Sequence, residues 1–257
     1  MYPSFKIFGV ITLRPYSLFM LLGAGVCILL FLFLTFKRHK GKTDENIFAF
    51  IMLIIAMAAA IPAAIVFDSL FHWAERGAFI ISGSTFYGGL LFAIALFPLL
   101  LLIKKNRAVS IYERLADLAP GIPAGHFFGR IGCFFDGCCF GAPTNGPFGV
   151  VFPEGSFPYE FYGGPVAIHP TQLYEAAALA VIFLILFFWG KKNAFPLYLM
   201  LYGVARFILE CFRSDSRGSL FGLPLSPAQI ISIVLILLGE AIWLIRIVRR
   251  LKKAKTG

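Results

Sequence analysis

The chain has 257 residues, 59% of them hydrophobic and only 14% charged, with a mean hydropathy of +0.84. Soluble domains are roughly half apolar and a quarter charged, so the composition excludes a soluble globular domain and a disordered one. The net charge of +10 does not mark a nucleic-acid partner, because the basic residues gather at the ends of apolar runs, where they anchor against anionic headgroups.

A membrane crossing needs about 20 mainly apolar residues. The start, MYPSFKIFGVITLRPYS, lacks the charged segment, long apolar run and small-residue cleavage site of a signal peptide. The first crossing is predicted at 17–36, followed by Lys37, Arg38, Lys40 and Lys42. The second is at 47–68 and, after a loop from Ser69 to Thr85, the third at 86–103, followed by Lys104, Lys105 and Arg107. A weaker fourth at 115–136 is interrupted by Pro120, Gly121 and Pro123. Phe140–Ala167 is dense in Gly, Pro and aromatics, the composition of turns and short extended pieces. The fifth crossing, 171–189, precedes Lys191 and Lys192; the sixth, 195–212, carries Arg206 and Glu210. After Ser214–Pro224 comes the seventh, 226–245, with basic residues from Arg246 to Lys255.

Seven crossings put all four basic clusters on one side, which the positive-inside rule makes the cytoplasm. The expectation is an all-α integral membrane protein, one polytopic domain over 1–257. It has about seven transmembrane helices, a small extracytoplasmic cap at 140–168, its N-terminus outside and its C-terminus cytoplasmic.

Polar groups break this pattern in three places. A helix at 115–136 puts His126 and Arg130 at i and i+4 and Cys133 three residues on, near one face. An arginine at membrane depth costs about 2.5 kcal/mol on insertion scales and faces a bundle interior or an aqueous cavity. Gly129, Gly132 and Gly137 permit close backbone approach. The structural alternative pairs Arg130 with Asp117 or Asp136. In RFILECFR, Arg206, Glu210 and Arg213 share a face. Arg206 and Glu210 can simply neutralise each other. Alternatively, the planar guanidiniums of Arg130 and Arg206 clamp a phosphate while Glu210 orients one of them or takes a proton. In HPTQLYEA, His169 precedes Pro170, suited to a first helical position. His169, Gln172, Tyr174 and Glu175 then cap the helix or contribute to a site for an anion.

Cys27 and Cys211 read as small apolar residues within helices. Cys133, Cys138 and Cys139 admit a disulfide, a reactive thiol or a metal site. A metal would want a fourth ligand such as His126 or His169, and C-x4-C-C is not a usual ligand spacing. No metal is expected.

LRPYSL around Tyr16, FYGGL at 86–90, GRIGCFFDGCCFG at 129–141, PFGVVFP, HPTQLYEA and YGVARFILECFR, in this order, resemble the prolipoprotein diacylglyceryl transferases, seven-span enzymes of the bacterial plasma membrane. The resemblance implies transfer of a diacylglyceryl group from phosphatidylglycerol to the lipobox cysteine thiol of a prolipoprotein, releasing glycerol phosphate. Its partners are then phosphatidylglycerol, prolipoprotein signal peptides and membrane lipids, with no cofactor. By position, Arg130 matches the essential arginine of the family's GRxG motif, Arg206 and Glu210 its late Arg–Glu pair, and Tyr16 its early tyrosine.

The departures cluster at the implied site. Tyr87 stands where the family has the histidine of His-Gly-Gly. Cys133 and Asp136 replace the two asparagines of GRxGNFxNxE, and Cys138 replaces its glutamate. The implied catalytic set is Arg130, Arg206, Glu210 and Tyr87. Substrate binding falls to Tyr16, His126, Cys133, Asp136, Cys138, His169, Gln172 and Glu175. With an ordinary pKa of about 10, a tyrosine is a poor base for a thiol, which leaves Glu210, His126 or His169. Three alternatives accompany this reading. One is a divergent paralogue using another lipid or thiol acceptor, another a covalent carrier role for Cys133 or Cys138, and the last a non-catalytic lipid- or lipopeptide-binding membrane protein.

Overall fold

The structure, a computed structural model, describes residues 5–7, 11–13, 15–71, 86–213 and 225–255. Most of the loop Ser69–Thr85 and all of Ser214–Pro224 lie outside the described residues. In chain order the elements are β1 (Phe5–Ile7), β2 (Ile11–Leu13), α1 (Pro15–Arg38), α2 (Thr43–Phe71), α3 (Phe86–Leu101), α4 (Ile111–Leu118), α5 (Gly121–Asp136), β3 (Val150–Val151), α6 (Phe157–Tyr162), β4 (Ala167–Ile168), α7 (Thr171–Ile185), α8 (Ala194–Glu210) and α9 (Pro227–Lys255). They fall into two units, residues 1–30 with 116–257, and residues 31–115.

In the 31–115 unit, α2 packs against α3. Gly88 and Gly89 permit the approach: a Cβ on Gly88 would lie 2.6 Å from Phe67 Cβ, and one on Gly89 2.8 Å from the Ala60 carbonyl. The chain after α3 is tied down at the start of α2, where the Glu45 carboxylate accepts the Ala108 and Val109 N–H groups at 2.9 and 3.1 Å. Buried Arg114 donates to Asn46 Oδ1 at 2.9 Å.

The larger unit is built on close helix contacts. Gly121 and Gly125, one turn apart on α5, meet Gly23 and Cys27 of α1. A Cβ on Gly125 would stand 2.7 Å from the Gly23 carbonyl, and one on Gly121 2.9 Å from that of Cys27. Small residues four apart let backbones approach where lipid removes any hydrophobic drive between helices. Opposite, α7 packs on α5 and α8 packs on α9. Gly203 faces the Ser232 carbonyl and Gly239 that of Pro196.

The predicted fourth crossing is not one continuous helix: α4 ends at Leu118, and α5 starts at Gly121 after Pro120. A proline ring restricts the residue before it and cannot donate to the helix ladder. Among the described residues four helical runs are long and apolar enough to cross a membrane, at 15–38, 43–70, 171–210 and 227–252, and the helix at 88–101 is shorter. The third run has 40 residues, which as a straight helix would reach about 60 Å, twice the hydrocarbon thickness. It is folded back on itself. A π turn at Leu186–Gly190 and a 3-10 turn at Lys191–Asn193, where Lys191 takes φ 41°, break the run, and α7 and α8 touch along their lengths. Outward residues such as Leu21, Ile61, Leu99, Trp189 and Leu237 are large, apolar and exposed, a surface suited to lipid.

Between α5 and α7 the chain forms a compact segment. β3 pairs antiparallel with β4, and Phe140, Phe152 and Ile168 make a small buried core with Phe134 and Tyr162 against it. Helix α6 opens at Ser156 and stops at Gly163, whose φ of 71° lies in the left-handed region.

Replacing Gly125 with leucine drives a side chain into the Gly23 carbonyl. The expected cost is about 1–3 kcal/mol or more, read as a lowered unfolding midpoint in detergent; Gly25→Leu, where a Cβ meets nothing within 4 Å, should leave it unchanged.

Candidate active site

Polar side chains of α5 and α8 converge on one carboxylate of α7, that of Glu175. Helix α5 carries His126 and Arg130, one turn apart, and Arg130 Nε donates to His126 Nε2 at 3.2 Å. An imidazole nitrogen that accepts has its proton on the other nitrogen, so this contact assigns the Nδ1–H tautomer. Glu175, one turn into α7, places Oε1 2.9 Å from Arg130 Nη2 and 3.7 Å from His126 Nε2. From α8, Tyr202 donates its hydroxyl to the same Oε1 at 3.1 Å, and Arg206 Nη1 lies 3.7 Å from Oε2. Arg206 also pairs with Glu210, one turn further on, at 2.7 Å between Nη2 and Oε2. Glu210 Oε1 accepts from Ser226 Oγ at 3.0 Å.

Ser226 itself opens α9. Its backbone N–H donates to Gln229 Oε1 at 3.0 Å, and Gln229 N–H donates back to Ser226 Oγ at 3.2 Å. This is a reciprocal capping box. The five ionisable residues are between 2% and 8% exposed. Two glutamates balance two arginines, which allows four charges to be buried together.

A second cluster begins three residues beyond Arg130. Helix α5 ends in a Schellman turn: Gly137, at φ 77°, donates to the Phe134 carbonyl at 3.2 Å, and Cys138 N–H reaches back to that of Cys133 at 3.2 Å. The turn folds Cys138 and Cys139 over Cys133, and the three Sγ atoms lie within 4.8 Å of one another. The start of α7 holds them there. Thr171 Oγ1 donates to the Cys139 carbonyl at 2.7 Å and Gln172 Nε2 to that of Cys138 at 2.6 Å. Gly141 N–H donates to the His169 carbonyl at 2.9 Å and His169 N–H to that of Ala142 at 2.9 Å, and a Cβ on Gly141 would collide with His169 and the Phe212 carbonyl. All five cysteines are free thiols.

Of the residues expected from the sequence, His126, Arg130, Glu175, Arg206 and Glu210 form one network. Cys133, Cys138 and Gln172 belong to the adjoining thiol cluster. Tyr16, at the start of α1, packs against Gly132 of α5. His169 bonds Tyr174 through Nδ1 at 3.1 Å. Asp136 does not join the site: it is exposed at the end of α5, and the carboxylate beside Arg130 is Glu175, not Asp117 or Asp136. Tyr87 is in the second residue of α3 in the other unit, with its side chain outside the described residues. Gly137 serves as the helix terminator, while Gly121 and Gly125 provide the close approach. Tyr202 and Ser226 were missed. The SPAQ capping box was legible for Ser226; Tyr202, a helical tyrosine among apolar residues, gave no signal.

A family model, that of the prolipoprotein diacylglyceryl transferases, matches residues 3–245. Among similar proteins, the phosphatidylglycerol-prolipoprotein diacylglyceryl transferase 2 of Clostridium perfringens is 31% identical, over 91% of this chain and 91% of its own. The phosphatidylglycerol-prolipoprotein diacylglyceryl transferase of Nitratidesulfovibrio vulgaris is 34% identical over 82% of this chain and 79% of its own. That of Clostridium tetani is 28% identical over 91% and 93%.

Glu175→Gln removes the charge shared by both arginines while keeping the shape. Breaking a buried ion pair from one side costs about 3–5 kcal/mol, and the same loss is expected in the unfolding free energy. Ser226→Ala, which removes a cap and the bond to Glu210, is expected to cost about 1 kcal/mol. Thermal or denaturant unfolding of both variants in detergent checks the order of the two effects.

Proposed function

Since the chain belongs to the prolipoprotein diacylglyceryl transferase family, we propose that it moves a diacylglyceryl group from phosphatidylglycerol to the cysteine thiol of a prolipoprotein, forming a thioether and releasing glycerol phosphate. The observation that carries the reading is the pair of buried guanidiniums on one carboxylate, Arg130 and Arg206 on Glu175. Displacement at the glycerol carbon leaves charge on phosphate oxygens. Preorganised cations in a site shielded from water stabilise that charge without reorganising during the step.

In this reading Arg130 and Arg206 contact the phosphate. Glu175, paired with both arginines, and Glu210, paired with Arg206, act through them as positioning residues. Gln172, buried, donates through Nε2 to Cys138, while its Oε1 accepts no hydrogen bond among the described residues. We assign this oxygen to a glycerol hydroxyl. Tyr16, His126 and Tyr202 line the same region.

The protein is proposed to be a multi-pass component of the bacterial plasma membrane with seven crossings, supported by seven helical segments at the predicted places and by basic clusters after 36, 103, 190 and 245. The N-terminus is then outside, the C-terminus cytoplasmic, and 140–168 an outer cap.

Arg130→Ala, expressed in cells lacking any other such transferase, is expected to abolish prolipoprotein lipidation. Arg130→Lys keeps the charge but loses the planar fork. Its rate should fall by roughly 10²- to 10³-fold, as for a lost preorganised donor. Lipidation at the wild-type level in the alanine variant would overturn the reading.

A further inference from the structure

Thioether formation requires the acceptor thiol to lose its proton, because the thiolate is the nucleophile. The bases suggested by the sequence are all engaged. His126 Nε2 accepts from Arg130, Glu210 accepts from Ser226 and pairs with Arg206, and His169 bonds Tyr174. Tyr87 is a phenol, with an ordinary pKa near 10. Next to the arginine network lies the cluster of three cysteines.

We propose that Cys133, Cys138 and Cys139 form a three-thiolate site for Zn²⁺ whose fourth position takes the acceptor thiol. The inference rests on the diacylglyceryl-transfer reading for the identity of the acceptor. The sequence spacing argued against a metal, but the fold supplies the proximity that the spacing hid: the Schellman turn at Gly137 folds Cys138 and Cys139 onto Cys133. Zn–S bonds of about 2.3 Å at tetrahedral angles put sulfurs about 3.8 Å apart. With every pair already within 4.8 Å, the thiols draw together by at most about 1 Å, within reach of side-chain rotation. A disulfide would need two sulfurs at about 2.05 Å and would leave the third without a role.

Three further features suit a metal. Among the described residues the group of close ligand atoms consists of these three sulfurs, and three protein ligands with the fourth position taken by substrate is the pattern of a catalytic zinc site. The backbone beneath is fixed. Cys139 is held at φ 61°, a strained left-handed value for a residue with a side chain, and the carbonyls of Cys138 and Cys139 are gripped by Gln172 and Thr171. A Zn²⁺ with three thiolates carries one net negative charge, and Arg130 lies on α5 one helical turn before Cys133.

The chemistry balances. The acceptor sulfur binds Zn²⁺ and gives up its proton, as coordinating thiols do. Its electron pair forms the S–C bond to the glycerol carbon while the C–O bond to the phosphate breaks. The departing glycerol phosphate takes that bond's electrons at the arginines and ends with the thiol proton. No electron is exchanged with an oxidant or reductant. Two of the departures from the family's motif, Cys133 and Cys138, thus act together with Cys139, replacing a protein base by a metal that acidifies the thiol.

The test uses the purified full-length chain. After dialysis against buffered Zn²⁺, plasma mass spectrometry should find about one Zn²⁺ per chain in the wild type and none in Cys133→Ser or Cys138→Ser. Loading the wild type with Co²⁺ gives a second readout that needs no variant to fold. Thiolate-to-cobalt absorption should appear, and it should shift when a lipobox peptide is added but not when the peptide's cysteine is replaced by serine. Stripping the metal should slow diacylglyceryl transfer by roughly 10²-fold or more, the scale of a lost general base, with recovery on adding Zn²⁺. Transfer without bound Zn²⁺, equal Zn²⁺ in the serine variants, or a disulfide within the cluster would overturn the site and leave the transfer reading standing. Stoichiometric Zn²⁺ and a peptide-dependent spectrum without transfer would uphold the site and overturn that reading instead.

Discussion

Glu175 carries one negative charge, and Arg130 at 2.9 Å and Arg206 at 3.7 Å both draw on it from different helices. Neither guanidinium could be buried alone, because a charge removed from water without a partner costs several kcal/mol. Each carboxylate and each arginine therefore requires α5, α7 and α8 to be in register, and a shift of one helix leaves a buried ion without its partner. The hydroxyl of Tyr202 completes the coordination of Oε1, and Glu210 holds the far side of Arg206. Burying the network is costly, and in the proposed reading its two arginines are what meets the phosphate.

The surrounding architecture serves that constraint. Helix α1 approaches α5 at Gly121 and Gly125, closely enough that a single methyl group would clash. The break at 186–193 turns one apolar run into an antiparallel pair, which brings the start of α7 level with the end of α8. The capping box at Ser226 starts α9 and at the same time steadies Glu210. On the other side, the Schellman turn ends α5 and projects the cysteines beside Arg130. A helix terminus thus links the arginine–carboxylate network to the thiol cluster within a few residues.

Much of this was legible before any coordinates. Long apolar runs announce helices because lipid demands internal hydrogen bonding, and i, i+4 spacing announced both the His126–Arg130 contact and the Arg206–Glu210 pair. Pro120 marked the interruption before α5, although its effect, two separate helices, exceeded a kink. What sequence could not rank was Glu175. Its partners are on other helices, so no local spacing distinguished it from a residue capping the start of its own helix. The same holds for Tyr202, while Asp136, adjacent to the motif in sequence, points to the surface. The closeness of the cysteines was hidden for a geometric reason: C-x4-C-C is not a usual ligand spacing, but the left-handed turn at Gly137, which ends α5 between Cys133 and Cys138, brings the sulfurs together.

The most direct measurement is the rate at which purified chain, in phosphatidylglycerol liposomes, adds a diacylglyceryl mass to a lipobox peptide, compared between wild type and Glu175→Gln. The expected result is a mass gain with release of glycerol phosphate in the wild type. In the variant the rate should be lower by roughly 10²- to 10³-fold, the scale set by losing preorganised charge stabilisation, at a temperature where it remains folded. Equal rates in the two proteins would contradict the central role of the shared carboxylate, because the arginines would then hold the phosphate without it.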